Sequence, residues 1–134
     1  MRKGNSMASN ILVIFEKPIY LSFEPVDPHL FATALGVADT PVEITVLLKD
    51  SAVTYAVAGQ EVSARILGQD IVQKDTSPDR LISFMLTHGA EVRAVQEDLE
   101  SRGIKASDLV PGVRVVPSSE TVSAIRENDA VIVW

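Results

Sequence analysis

The sequence predicts an α/β fold, a three-layer sandwich in which about five mainly parallel strands carry helices on both faces. Short apolar runs alternate along the chain with stretches in which apolar residues recur at helical spacing. This is the pattern of βα units that build a parallel sheet. A length of 134 residues with 46% hydrophobic content suits one domain whose core needs no metal or disulfide. Right-handed crossovers between the strands are expected to give a flavodoxin-like topology.

Five apolar runs are predicted to be strands because they are short, aliphatic and rich in Val and Ile, as strands buried on both faces are. In chain order they are residues 11–15, 42–48, 90–95, 113–116 and 130–134. The continuous apolar character of these runs indicates a sheet covered by helices rather than one open to water.

Helices are predicted between the strands. Asp27 and Pro28 supply a cap and a first-turn proline for a helix over residues 27–38. Further helices are expected over residues 50–57, from Pro78 to the Gly89 stop, over 96–102 with Arg102 paired to Asp98, and over 118–127. Ser118 or Ser119 is expected to cap the last one. Residues 61–76 permit either an excursion or an extra strand-like turn around Ile66 and Ile71.

The N-terminal residues and the lengths of the apolar runs predict where the protein is located. Residues 1–9 are expected to be a flexible leader, with residues 10–134 forming a single domain. The apolar run at 11–15 is too short for a signal peptide, and no stretch approaches the ~20 apolar residues of a membrane span. We therefore expect a cytoplasmic protein with no membrane partner.

Charge and residue types argue against several classes of function. A net charge of −6 disfavours nucleic-acid binding, and no glycine-rich turn follows a strand to hold a nucleotide phosphate. The chain has no cysteine, so it has no thiolate metal site and no redox-active thiol. The two histidines, His29 and His88, show no metal-binding spacing and are expected to be structural. We expect no cofactor and no metal.

Polar side chains follow the carboxyl ends of the predicted strands, where open α/β sheets form their ligand clefts. This position predicts one candidate site, for a small ligand or a reaction on one. Its candidate residues are Glu16, Lys17, Tyr20, Asp50, Tyr55, Gln96 and Glu97.

Four segments, read in order, resemble the DsrE/DsrF/TusC family of sulfur-relay proteins. They are the first strand with its loop and apolar helix, residues 46–60 ending in Gly-Gln, residues 89–104 with the sequence GAEVRAVQEDLESRGI, and residues 108–113 together with the closing strand at 129–133. The likeness covers roughly residues 10–134. It implies a DsrE-like fold and a relation to intracellular sulfur transfer.

The same resemblance places the sulfur-accepting cysteine of the family at or next to Val95. A valine has no thiolate, and the thiolate is the nucleophile of such chemistry. The resemblance therefore implies a subunit that does not itself catalyse sulfur transfer, or a divergent member whose cleft has another use. Its implied partners are copies of itself in a trimer or hexamer, or related subunits in a hetero-oligomer.

Overall fold

The computed structural model describes residues 9–17, 42–73 and 77–133. Within them the chain forms a five-stranded parallel sheet and a separate two-stranded antiparallel hairpin. The strands are β1 (Ser9–Phe15), β2 (Val42–Leu48), β3 (Val62–Ile66), β4 (Gln69–Gln73), β5 (Glu91–Val95), β6 (Arg114–Val116) and β7 (Ala130–Val133). The order across the larger sheet is β6-β5-β2-β1-β7. The five predicted strands and their parallel direction are confirmed.

The helices of the described residues lie where the sequence predicts them, except for a short 3-10 helix at Ala106–Asp108 that was not predicted. They are α1 (Pro78–Thr87), α2 (Gln96–Glu100), α3 (Glu120–Glu127) and two 3-10 helices, Asp50–Ala56 and Ala106–Asp108. The leader up to residue 8 and the predicted helix over 27–38 lie outside the described residues, as do Tyr20 and His29. No helix in the described ranges has the length and apolar character that a membrane crossing requires.

The helix predicted over residues 50–57 is a 3-10 helix rather than an α-helix. Its buried residues are Ala52, Val53, Tyr55 and Ala56. The side-chain amide of Gln60 donates to the carbonyl oxygens of Thr54 at 2.7 Å and Val57 at 2.8 Å. Burial of these side chains and the hydrogen bonds from Gln60 therefore stabilise the 3-10 helix. In the Gly-Gln sequence that follows this helix, the glutamine has a structural role.

Two other helices are shorter than predicted. α3 begins at Glu120 because residues 117–119 form a turn in which the Glu120 N–H donates to the Pro117 carbonyl. Ser119 occupies the N-cap position of α3 but makes no side-chain cap bond. α2 ends at Glu100, and the chain then turns at Gly103, whose φ of 68° is in the left-handed region that glycine tolerates.

Both faces of the sheet are packed. Alternate residues of a strand point to opposite faces, so each strand contributes to two apolar clusters. The larger cluster joins Phe15, Val46 and Leu48 to the first 3-10 helix and α1. The smaller cluster lies on the other face and consists of Leu12, Ile14, Leu47, Val95, Val116 and Ala124 of α3. Helices on both faces are thus confirmed, and the sheet is the central layer.

Of the two alternatives for residues 61–76, the structure has the strand-like turn. β3 and β4 pair antiparallel and are joined by Leu67 and Gly68, with φ values of 51° and 80°. Two consecutive positive φ values are the mark of a type I′ turn, which matches the twist of a hairpin. Leu67 is 99% exposed at the tip of this hairpin.

Candidate functional site

The carboxyl ends of β1 and β2 are joined by hydrogen bonds at one edge of the sheet. The backbone N–H of Lys49 donates to the carbonyl oxygen of Phe15 at 2.9 Å. The hydroxyl of Ser51 donates to the carbonyl oxygen of Glu16 at 3.4 Å. The loops that follow these two strands are therefore held side by side, and the predicted cleft residues Glu16 and Asp50 lie at the same edge.

Asp50 links β2 to the helix that follows β5. Its backbone N–H donates to Oδ2 of Asp98 at 2.8 Å. Asp50 also has a φ of 48°, in the left-handed region that a residue with a Cβ adopts at a cost, although aspartate tolerates it better than most. The Asp98 carboxylate thus helps to hold a strained, exposed residue at the end of a central strand.

Glu97 links the end of β5 to the loop after β6. Its two carboxylate oxygens accept the backbone N–H of Ser118 at 3.0 and 3.1 Å, and one of them also accepts the Ser118 hydroxyl. Hydrogen bonds stabilise the ionised carboxylate. The bonds from the Ser118 side chain and backbone accordingly lower the pKa of Glu97. Four neighbouring strands are therefore tied together at this edge.

The structure brings most of the predicted cleft residues to one edge and separates one of them. Lys17, Asp50, Gln96 and Glu97 are exposed there, and Glu16 is half-buried. Tyr55 is 2% exposed, and its ring lies 6.1 Å from that of Phe15 in the larger cluster, so it belongs to the core. Tyr20 lies outside the described residues.

Asp98 and Ser118 contribute to this edge in a way that sequence reasoning missed. The sequence predicts a surface pair between Asp98 and Arg102, but Nη1 of Arg102 donates to the backbone carbonyl of Asp98 at 3.1 Å. The Asp98 carboxylate instead accepts the N–H of Asp50, 48 positions away. The one sequence signal for Asp98 and Ser118 was their position. Asp98 comes three residues after the end of β5, and Ser118 comes two residues after the end of β6.

Val95, at or next to which the family resemblance places a cysteine, is buried. Val95 is the last residue of β5, is 1% exposed and packs in the smaller cluster with Leu47 and Val116. Its neighbour Gln96 is exposed and donates its amide to Oε1 of Glu100 at 2.9 Å. At the end of β5 the buried apolar side chain of Val95 is therefore followed directly by the exposed polar side chain of Gln96.

His88 lies at the end of a helix, as its sequence position predicts. It is the C-cap residue of α1, its Nδ1 lies 2.9 Å from the carbonyl oxygen of Phe84, and its ring lies 4.1 Å from the Phe84 ring. Within the described ranges, no group of three or more His, Asp or Glu side chains is placed to hold a metal ion.

A second surface with functional interest lies at the other end of the chain. Val122 and Ile125 of α3 are 56% and 43% exposed. Val131, Ile132 and Val133 of β7 are 38%, 48% and 57% exposed. We call these five residues the C-terminal apolar surface, with Val131 and Val133 on one face of β7 and Ile132 on the other. Exposed apolar side chains that lie near one another on a folded domain commonly mark contacts with other proteins.

Solved structures share this fold. YchN from E. coli superposes with a TM-score of 0.67 at 15% identity, over 94% of this chain and 98% of that protein. MTH1491, a protein of unknown function from Methanobacterium thermoautotrophicum, gives 0.62 at 20% identity, over 93% and 97%. BT1422, of unknown function from Bacteroides thetaiotaomicron, gives 0.66 at 13% identity, over 94% and 95%.

Because the three sequence identities are 20% or lower, these similarities show a shared fold and nothing more. They support a DsrE-like α/β fold for this chain. No protein-family model matches the sequence, and comparison with curated proteins gives no match.

Proposed function

We propose that this chain is a non-catalytic interaction subunit of a DsrE/DsrF/TusC-like assembly that belongs to intracellular sulfur transfer in the cytoplasm. Residues 10–134 act as one domain in this role. The observation that carries the proposal is the C-terminal apolar surface on a DsrE-like fold whose chain contains no cysteine. The DsrE-like fold agrees with the family resemblance of the sequence, the lack of a thiol argues against the transfer reaction, and exposed apolar side chains are suited to contacts with partners.

We call the side of the sheet where β1, β2, β5 and β6 have their carboxyl ends the carboxyl edge. The chemistry of this edge supports a structural role. A persulfide carrier needs an accessible thiolate, and at the corresponding position this chain has Val95, which is buried against other apolar side chains. The carboxylates of Glu97 and Asp98 are engaged in bonds that tie neighbouring strands together. These bonds hold the ends of neighbouring strands together, as a structural subunit requires.

The partners proposed for this subunit are further copies of the chain, in a trimer or hexamer, or relatives that carry the cysteine. The five residues of the C-terminal apolar surface are uncharged, so either partner can cover them without burying an unpaired charge from them.

The experiment that tests the proposal is affinity capture of the tagged chain from cells under mild conditions, followed by mass spectrometry of the intact assemblies. We expect a stable multimer, with cysteine-bearing relatives present if the assembly is mixed. A protein that stays monomeric at micromolar concentration, both alone and together with such relatives, would remove the proposal.

The second candidate function is binding of a small ligand at the carboxyl edge, and one observation favours it. Asp50 adopts a left-handed backbone at the exposed end of a central strand, and strained residues of this kind cluster at ligand sites. Glu16, Lys17, Gln96 and Glu97 lie at the same edge and could supply polar contacts.

A thermal-shift screen of small metabolites tests this candidate. Replacement of Glu16, Asp50 and Gln96 by alanine, one at a time, is expected to weaken binding of any compound that raises the melting temperature. Glu43→Ala is the matched control, because Glu43 is also exposed but lies at the amino end of β2. Unchanged affinity in all three edge variants would rule this function out.

A further inference from the structure

We propose that the guanidinium groups of Arg93 and Arg114 form a binding site for the oxoanion group of a small acid, such as a phosphate, a sulfate or a carboxylate. The two arginines lie on one face of the sheet, at the rim of the smaller cluster. This site goes beyond the proposed function, which uses neither side chain.

The first argument is that the two arginines lie side by side. Arg93 of β5 and Arg114 of β6 are register partners in a parallel ladder. Because side chains alternate along a strand, they share a face with Val95 and Val116, which belong to the smaller cluster. Like charges held on neighbouring strands repel each other. The pair therefore costs stability unless enough negative charge lies beside it.

The second argument is the balance of charge around the pair. One carboxylate lies between the two guanidiniums: Oε2 of Glu91 accepts from Nη2 of Arg93 at 2.9 Å, and Oε1 accepts from Nη1 of Arg114 at 3.1 Å. The hydrogen bond from Arg93 is the largest cause of a lowered pKa for Glu91, so this carboxylate is ionised at neutral pH. Two positive charges thus share one negative charge, and one positive charge is left over.

The third argument is that N–H groups are left over as well. Glu91 takes one nitrogen of each guanidinium, whereas arginine binds an oxoanion best through two parallel N–H groups. Nε of Arg93 is buried and has no hydrogen-bond partner among the described residues. A buried donor without an acceptor is rare and destabilising in folded proteins. Rotation of this guanidinium toward a second oxoanion would give its Nε–H an acceptor.

The exposure of the three side chains suits a small ligand. Arg114 is 59% exposed and Glu91 41%, whereas Arg93 is 16% exposed. The site therefore has a desolvated guanidinium at its base and an accessible one at its mouth. Hydrogen bonds between charged groups are stronger where water is partly excluded, so Arg93 contributes more than a fully exposed arginine could.

The chemistry of the site selects the class of ligand. A planar guanidinium matches the oxygens of carboxylate and phosphate groups, and the remaining positive charge disfavours cations. A net charge of −6 on the chain repels extended polyanions. A small oxoanion is affected mainly by the two nearest arginines, since charges are screened over about 8 Å at physiological salt.

An NMR titration of the full chain, labelled with ¹⁵N, tests the proposal. Inorganic phosphate, sulfate and acetate are added separately at constant pH and ionic strength, with chloride as the anion that each replaces. We expect saturable shifts of the β5 and β6 amide signals and of the Arg93 Nε–H signal, with a Kd of about 1 mM for the tightest probe. The tightest of the three probes identifies the oxoanion group that the site prefers.

Four variants separate a binding site from a purely structural ion pair. Arg114→Gln and Arg93→Gln should each weaken binding about 10-fold, because each removes charge-assisted hydrogen bonds. Arg126→Gln is the matched control, since Arg126 is an exposed arginine of α3 and its loss changes the charge equally. Glu91→Gln removes the competing carboxylate and should strengthen binding about 10-fold, an effect that a purely structural pair does not produce.

Three results would overturn the proposal. They are shifts that grow linearly without saturation for all three probes, the same loss of affinity in Arg126→Gln as in Arg114→Gln, and weaker binding in Glu91→Gln. Arg114 is mostly exposed on an edge strand, so its variant remains informative if Arg93→Gln does not fold, and the ¹⁵N spectrum of each variant reports its folding. None of these results depends on partners, so failure here leaves the proposed function standing.

Discussion

A cysteine placed at Val95 is expected to be unreactive, whereas one placed at Gln96 is expected to react readily. Val95 is 1% exposed at the end of β5 and packs in the smaller cluster, while Gln96 is exposed at the first position of α2. Because the chain has no other cysteine, each variant reports on a single thiol. The pair therefore tests which of two adjacent positions could serve as a sulfur acceptor.

The size of the difference follows from burial. A reagent reaches a thiol at position 95 only when the end of β5 opens, and opening of a packed strand approaches the cost of global unfolding. An opening free energy of about 3 kcal/mol already slows the reaction about 100-fold. Replacing the two methyl groups of Val95 by one sulfur should also lower the free energy of unfolding by about 1 kcal/mol.

The assay is the rate of reaction with a chromogenic disulfide at neutral pH, together with urea unfolding of each variant. Both thiols should react at the same rate in concentrated guanidinium chloride, which controls for intrinsic reactivity. The reasoning would be refuted if folded Val95→Cys reacted as fast as folded Gln96→Cys. It would then be wrong to describe position 95 as buried in this chain.

Three further predictions concern stability and titration. Leu48→Ala should lower the free energy of unfolding by about 2–5 kcal/mol because Leu48 is 0% exposed, whereas Leu67→Ala, at 99% exposed, should change it by less than about 0.5 kcal/mol in the same urea titration. Leu67→Asn should raise it by about 1 kcal/mol, since asparagine tolerates the φ of 51° better, and a decrease in urea midpoint would contradict this. Ser118→Ala should raise the pKa of Glu97 toward its ordinary value of 4.5 in an NMR titration. The bonds to ionised Glu97 stabilise the wild-type protein above pH 4.5, and this stabilisation is lost as the pH falls through the lowered pKa of the folded state. If the substitution left the pKa of Glu97 unchanged, Ser118 would not be the cause of the shift.

Much of the fold could be predicted because local sequence carries it. Aliphatic runs predict strands, and the glycines at 89 and 103 mark where helical segments give way to the next element. The 3-10 geometry of Asp50–Ala56 could not be predicted, since it depends on burial of most of its residues and on the amide of Gln60 beyond its end.

The candidate site was predictable in place but not in detail. Strand ends predict that Glu16, Asp50 and Glu97 share an edge, because parallel strands end on the same side. Which groups they contact depends on residues far along the chain, as the bond from Asp50 to Asp98 shows. Tyr55 follows a strand like the others, yet packing turns its ring into the core.

The sequence by itself determined the α/β class, the parallel strands and the absence of a thiol, because these depend on residue type and on spacing within one element. Tertiary structure alone decided that β2 is central and β7 is at the edge, although both are apolar runs. The order of strands follows from the packing of the whole chain, so no local pattern encodes it. That order leaves Val131, Ile132 and Val133 exposed while Val46 and Leu48 are buried.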